Sequence, residues 1–423
     1  MFQHVEAFGG DAIVALNEAF HRDPRPHKVN LSIGIYSDEF GEVPAQHAVC
    51  AAEQYLAQSR QPKPYLPMEG STSFRKAIQG LLFGAGHEVL LRERVATVQT
   101  VGSSGALKAG AEFISQWFPA SAVWVSDPTW DNHPSIFQGA GLAVHTYPYY
   151  DANGGLRFEA MLETLRALPR QSVVLLHACC HNPTGVDLTP AQWQLLIPVL
   201  QEKALIPFLD LAYQGFGDGL EEDAYAVRAL AQSGVCFLLA NTLSKSMGVY
   251  AERCGALSVV CADAVQAERV LGQLKSTVRQ SYFSPPAHGS QVVARVLDDP
   301  RLRASWERDL TAMRERIRRL RHLLHAALNR RLPRHDFAYL LTQRGMFSYT
   351  SFTEQQIQEL RERHAIYLVN SGRMCISGLR SDNIERVADA IASVCADAST
   401  IARVAAFGGQ VFSDTPVRDV QDQ

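Results

Sequence analysis

The chain predicts an α/β fold with a mostly parallel, seven-stranded sheet flanked by helices and joined to a smaller α+β unit, and three observations carry that prediction. Between about residues 95 and 260, short β-branched and apolar runs alternate with longer segments of helical character. Each run gives way to polar or glycine-containing residues, as strands do where a parallel sheet presents its carboxyl ends. One long amphipathic segment then separates this region from the rest of the chain.

Taken in order, the runs are VATVQT, AVWVS, AVHTY, SVVLLHACC, IPFLD, CFLLAN and GALSVV. Several are continuously apolar rather than alternating, which marks strands covered on both faces. From Arg301 to Leu332 the apolar residues Leu302, Trp306, Leu310, Met313, Ile317, Leu320 and Leu324 recur every three or four positions, so one long helix is expected there. Its arginine-rich outer face reads as a solvated surface rather than a polyanion patch. Everything after Leu332 forms the smaller unit, and the N-terminal segment joins it. The expected boundaries are 44–312 for the large domain, 1–43 with 313–398 for the small one, and 399–423 for a C-terminal tail whose last residues, GGQVFSDTPVRDVQDQ, lack any period and read as frayed.

Composition narrows the function classes. Hydrophobic residues at 47% and charged residues at 20% are ordinary for a soluble globular protein, and a net charge of −3 lacks the basic surplus that nucleic-acid binding requires. No run approaches the roughly 18 apolar residues of a spanning helix. The N-terminus lacks a basic leader and apolar core, so a cytoplasmic protein is expected. Eight cysteines without a CxxC pair read as reduced, buried thiols, and no metal site is expected.

The chemistry collects after the strands. VATVQT leads into Gly102, Ser103, Ser104 and Gly105, a turn opening a helix whose free N–H groups and positive end suit a phosphate; alone it is as readily an ordinary serine-capped turn, and despite Lys108 it is not a Walker loop. Thr242 and Ser244, with Arg253 beyond, are placed either to complete a phosphate cup by hydroxyl and guanidinium contacts or simply to lie at the surface. Lys245 stands between two serines just past a buried strand, where its ammonium must be desolvated, so the position calls for a lysine that reacts with an aldehyde and then shuttles a proton. Asp210 ends IPFLD, and a carboxylate there needs a cation; a protonated pyridine nitrogen qualifies, although a helix cap is the plain alternative. Tyr213 and Asn182 are placed to hydrogen-bond a ring oxygen or simply to fill loops. Trp130 is either a stacking plate or core filler. His133 and His177 read first as structural histidines, either of which would tune Asp210 if it lay behind it.

Together HNPTG, DLAYQGF, NTLSKSMGVYAERCG and NSGRMCISGL resemble the class I aminotransferases of the aspartate/aromatic branch, which are fold type I pyridoxal-phosphate enzymes, and most nearly the bacterial aromatic-amino-acid group. The similarity runs from about Phe2 to Cys395, with the motifs in family order. The resemblance implies Lys245 as the Schiff-base lysine and proton shuttle, Asp210 against the pyridinium, Tyr213 and Asn182 on the ring oxygen, and Trp130 over the ring. It implies Ser103, Ser104, Thr242, Ser244 and Arg253 around the phosphate, with Tyr65 reaching the phosphate of a neighbouring subunit, hence a homodimer with shared sites. Arg373 would hold the substrate α-carboxylate, Arg279 the distal carboxylate from across the dimer, and Gly34 would mark a segment that closes over substrate. The reaction so implied is ping-pong transamination between an aromatic or dicarboxylic L-amino acid and 2-oxoglutarate; β-elimination or decarboxylation on the same frame is the nearest rival. Ile35, Val43, Ser104 and Ser284 favour the aromatic branch, whereas Ser37 and Pro64 match neither branch well.

Overall fold

In the computed structural model the described residues are 1–7, 10–60, 62–151 and 153–408, with side chains described up to residue 396. The seven apolar runs become β1 (Val95–Val101), β2 (Val123–Asp127), β3 (Val144–Pro148), β4 (Val173–His177), β5 (Ile206–Leu211), β6 (Phe237–Thr242) and β7 (Cys254–Val260) of one sheet, in the order β1-β7-β6-β5-β4-β2-β3. Only β7 runs against its neighbours, so the remaining strands all end at one rim.

Side chains along each strand alternate between two apolar layers. Val173 and Leu175 of β4 enter the layer that contains the helix Gly102–Trp117, while Val174 and Leu176 enter the layer on the opposite face. Both faces are therefore covered, which is why the strands read as continuous apolar runs. The helix Gly102–Trp117 approaches the sheet closely at Gly110, where a Cβ would lie 2.5 Å from the Phe208 ring. Register then aligns the rim: His177 sits opposite Asp210, Leu211 opposite Asn241, and Thr242 opposite Gly255.

The predicted long helix spans Pro300–Arg331, with Asp299 capping it through the Arg301 and Leu302 N–H groups and Pro300 in its first turn. Trp306, Leu310, Met313, Ile317, Leu320 and Leu324 are buried as the periodicity requires, while Leu302 is only partly covered. The Trp306 indole donates to the Ser246 carbonyl at 2.8 Å, tying this helix to the loop that carries Lys245. Most arginines of its outer face pair with acids: Arg303 with Glu307, Arg318 with Asp218, and Arg331 with Asp389. Arg321 departs from the solvated-face reading, because it is buried.

After residue 332 the chain forms short elements. Among them β8 (Phe347–Tyr349) pairs antiparallel with β9 (Arg373–Cys375), and Ile366–Tyr367 pairs parallel with Val29–Asn30 of the N-terminal segment. The final helix runs Ile384–Gly408, past residue 398 where the tail was expected to begin, because the apolar spacing continues without a breaker as far as Gly408. The rest of the expected tail, 409–423, lies outside the described residues. All eight cysteines are free; six are buried, but Cys50 is half-buried and Cys236 exposed, since the latter lies in the loop leading into β6. Among the described residues no helix is long and apolar enough to cross a membrane.

Candidate active site

The carboxyl rim of the sheet opens into a cavity of about 180 Å³ lined by Gly34, Ser103, Trp130, Asn182, Asp210, Tyr213, Lys245 and Arg373, with Ile13, Ala212 and Phe347. The first eight are residues the sequence singled out, drawn from positions as distant as 34 and 373. Ile13, Ala212 and Phe347 were not anticipated. Ile13 lies on an N-terminal amphipathic helix and Phe347 in a three-residue strand, and neither carries a motif.

Asp210, at the end of β5, is 5% exposed. Its Oδ2 meets His133 Nε2 at 3.1 Å, and His133 Nδ1 faces the Thr129 hydroxyl at 2.8 Å. Burial alone would raise the carboxyl's pKa, but the His133 hydrogen bond and the electrostatics of the surrounding side chains outweigh it and hold Asp210 below its ordinary value. Its Oδ1 has no hydrogen-bond partner among the described residues. A buried carboxylate oxygen without a partner, on a residue that lines the cavity, is a seat for a cation or a charged N–H. His177 stands behind, its pKa pushed down to about 3 by burial and by His133, so it is neutral. His133, His177 and Asp210 place ligand atoms within 4.8 Å of one another, yet the direct His133–Asp210 bond gives the group a use that needs no metal.

Lys245 comes three residues after the end of β6, and its Nζ lies 5.1 Å from the Tyr213 ring centre. Burial lowers its pKa to about 8; Asp210 pulls it back up, and Arg253 and Arg373 lower it further. The amine therefore loses its proton around pH 8, far below an ordinary lysine, which makes the uncharged form a nucleophile toward a carbonyl requires accessible near neutrality. Tyr213 is the opposite case: burial raises its phenol far above the usual range, keeping it protonated as a hydrogen-bond donor.

The residues expected around a phosphate gather where β1 meets the helix Gly102–Trp117. Gly102 has φ +66°, and any Cβ there would collide with the Arg253 guanidinium, so glycine lets the cation lie against the helix's N-terminal N–H groups. Arg253 Nη1 donates to Ser244 Oγ at 3.4 Å, and Ser244 lies 2.9 Å from Thr242 Oγ1. Thr242 in turn donates to the Cys254 carbonyl at 2.7 Å, so it braces Ser244 from behind. Ser103 lines the cavity, whereas Ser104 is half-buried beside it.

Arg373, on β9, is 4% exposed. It donates to Asn182 Oδ1 at 3.2 Å and to the Ser32 carbonyl at 2.8 Å, and its guanidinium sits 4.5 Å over the Phe347 ring. Trp130 meets His133 edge-on at 5.2 Å and lines the cavity.

The remaining predicted residues are elsewhere. Tyr65 is 85% exposed and contacts the Phe283 ring, and Arg279 is exposed in the last turn of the helix Ala264–Ser281. Ile35, Val43 and Ser284 do not line the cavity; the Ser284 hydroxyl donates to the Leu66 carbonyl.

Residues 26–391 match the family model described as aminotransferase class I and II. The chain belongs to that family. It is 56% identical to the aromatic-amino-acid aminotransferase of Escherichia coli (strain K12), over 93% of this chain and 100% of the relative. It is 46% identical to an aspartate aminotransferase of Pseudomonas aeruginosa, over 93% of this chain and 99% of that protein. The solved aromatic-amino-acid aminotransferase of Burkholderia pseudomallei, covalently bound to pyridoxal phosphate, superimposes with a TM-score of 0.91 at 44% identity, covering 93% of this chain and 99% of that one. The donor set fits such a cofactor: the unpaired Asp210 Oδ1 could take a ring N–H, the Lys245 amine a carbonyl carbon, and Arg253 with the helix end a phosphate.

Proposed function

We propose that this aminotransferase exchanges the amino group of an aromatic or dicarboxylic L-amino acid with 2-oxoglutarate. The observation that carries the reading is one cavity holding a buried carboxylate with a free oxygen, a lysine whose pKa is lowered to about 8, and a buried arginine. Pyridoxal phosphate supplies an electrophilic carbonyl and a protonated ring that accepts electrons from the substrate Cα. The protein's residues do the rest. Asp210 keeps the ring nitrogen protonated, with His133 holding its other oxygen. Tyr213 and Asn182 donate to the ring oxygen and Trp130 stacks on the ring. Ser103, Ser104, Ser244 and Arg253 hold the phosphate, with Thr242 as their brace. Arg373 fixes the α-carboxylate and so turns the Cα–H bond toward Lys245, whose uncharged amine removes that proton and returns it on the same face.

Arg279 and Tyr65 fit a second copy of the chain. Both are exposed here, so we assign Arg279 of the partner subunit to the distal carboxylate and Tyr65 of the partner subunit to the phosphate, in a homodimer. Residues 1–43 with 313–398 form the smaller domain, which carries Gly34 and Arg373 against the large domain 44–312; a cytoplasmic location suits the free cysteines.

Substrate choice is tested by initial rates for aspartate, tyrosine, phenylalanine and leucine against 2-oxoglutarate. Comparable rates with tyrosine and aspartate are expected; turnover of aspartate alone would refute the aromatic assignment.

A further inference from the structure

Arg321 is a charge buried without an acid. It lies on the inner face of the long helix at 3% exposure, and no ion pair reaches it among the described residues. Burial lowers its pKa only to about 10, so the guanidinium stays charged at neutral pH. A buried cation without a counter-ion is costly unless its donors are filled. Here the two terminal nitrogens are filled, mainly by main-chain oxygens, while Nε has no partner among the described residues. Nη1 donates to the Leu340 carbonyl at 3.2 Å and to Ser348 Oγ at 2.6 Å; Nη2 donates to the Gly345 and Phe347 carbonyls at 2.9 and 2.6 Å.

These acceptors run from the one-turn helix Tyr339–Thr342 through the connecting residues into β8, and the carbonyls of Leu340 and Gly345 lie outside any sheet. A planar fork with five N–H groups spans that spread of oxygens; an ammonium, with three donors on one atom, does not. The segment is also wedged from behind. The Arg344 N–H donates to the Gly185 carbonyl at 2.6 Å, and a Cβ on Gly345 would lie 2.5 Å from the Cys180 side chain.

The fork holds Phe347 in place. Its ring lies under the Arg373 guanidinium at 4.5 Å, meets the Tyr213 ring edge-on at 5.7 Å, and leaves no room for a side chain at Gly34, where a Cβ would lie 2.9 Å away. β8 also pairs with β9, Phe347 opposite Cys375 and Tyr349 opposite Arg373. A shift of β8 therefore moves the platform beneath Arg373 and the strand beside it together.

We propose that Arg321 is a positioning residue for carboxylate recognition: it fixes Phe347, and through Phe347 it orients Arg373 while touching neither substrate nor cofactor. This rests on the reading that Arg373 grips the α-carboxylate.

The test is the Kd of maleate, a non-reacting dicarboxylate, for the pyridoxal-phosphate-loaded protein by calorimetry, with cofactor content checked by absorbance. Arg321→Lys is expected to retain the cofactor and to weaken maleate about tenfold, the size of a coupled packing contact. Phe347→Leu weakens it as well, and adding Arg321→Lys to Phe347→Leu weakens it no further, because the effect passes through that ring. A Kd within about twofold of the parent for Arg321→Lys, or losses that multiply in the double variant, overturns the inference. Arg373→Lys separates the two readings. If it leaves maleate binding unchanged, the assignment of Arg373 itself has failed; if it weakens binding while Arg321→Lys does not, only the positioning role has. Should Arg321→Lys fail to fold, Ser348→Ala removes one acceptor and is expected to weaken maleate about threefold, and an unchanged Kd there is equally decisive against it.

Discussion

Lys245→Ala is expected to lower kcat for any amino donor by at least about 10⁴-fold, the upper range for loss of a general acid–base group, with a further loss because the same amine is the proposed nucleophile. The expectation rests on position. No other described lysine lines the cavity, and burial lowers the pKa of this one to about 8. Folding stability should move the other way. Because the fold lowers the pKa of this lysine, its charged form opposes folding, so removing it is expected to leave the melting temperature unchanged or raised. Loss of activity together with a lower melting temperature would point to a collapsed site rather than a missing amine.

Asp210→Asn is the second large effect. Substituting one oxygen by a neutral amide removes the charge proposed to face the ring nitrogen, and breaking a buried pair costs about 3–5 kcal/mol, so kcat/KM is expected to fall at least about a hundredfold. Two secondary signatures accompany it. Asp210 is the one group that raises the Lys245 pKa against burial, so in the variant that pKa should drop below about 8. Asp210 is itself held below its ordinary pKa, so in the parent its ionised form stabilises the fold above the normal carboxylate range, and that contribution fades as the pH falls through the depressed value. The parent should therefore lose stability on acidification in a way the variant does not. A variant with parental kcat/KM would remove the carboxylate from the account.

Much of this architecture is legible in the sequence. All seven sheet strands are readable because covering by helices on both faces leaves continuous apolar runs bounded by turns. The rim chemistry is readable because parallel strands bring the residues just past their carboxyl ends to one place, so a single rule assembles Ser103, Asn182, Asp210, Tyr213 and Lys245. Ile13, Phe347 and Arg321 have no such signal. Ile13 looks like any residue of an amphipathic helix, Phe347 lies in a three-residue strand, and Arg321 belongs to an arginine-rich helix whose other arginines are mostly at the surface. Their roles depend on which distant segments arrive beside them, and that is tertiary information. The end of the last helix is hidden for a simpler reason: the composition beyond residue 398 looks like a tail before its period runs out at Gly408. Tyr65 and Arg279 lie outside the cavity of a single chain, so their expected contacts are not legible in it.

The central claim, that the amine of Lys245 meets the cofactor carbonyl, is tested most directly by reductive trapping. The apoprotein is loaded with pyridoxal phosphate, treated with borohydride, digested, and its modified peptide sequenced at several pH values. The account predicts one phosphopyridoxyl group on Lys245, acquired faster as the pH rises through about 8, where the amine loses its proton. Stable modification of another lysine, or spectroscopically bound cofactor that leaves Lys245 unmodified, would contradict it.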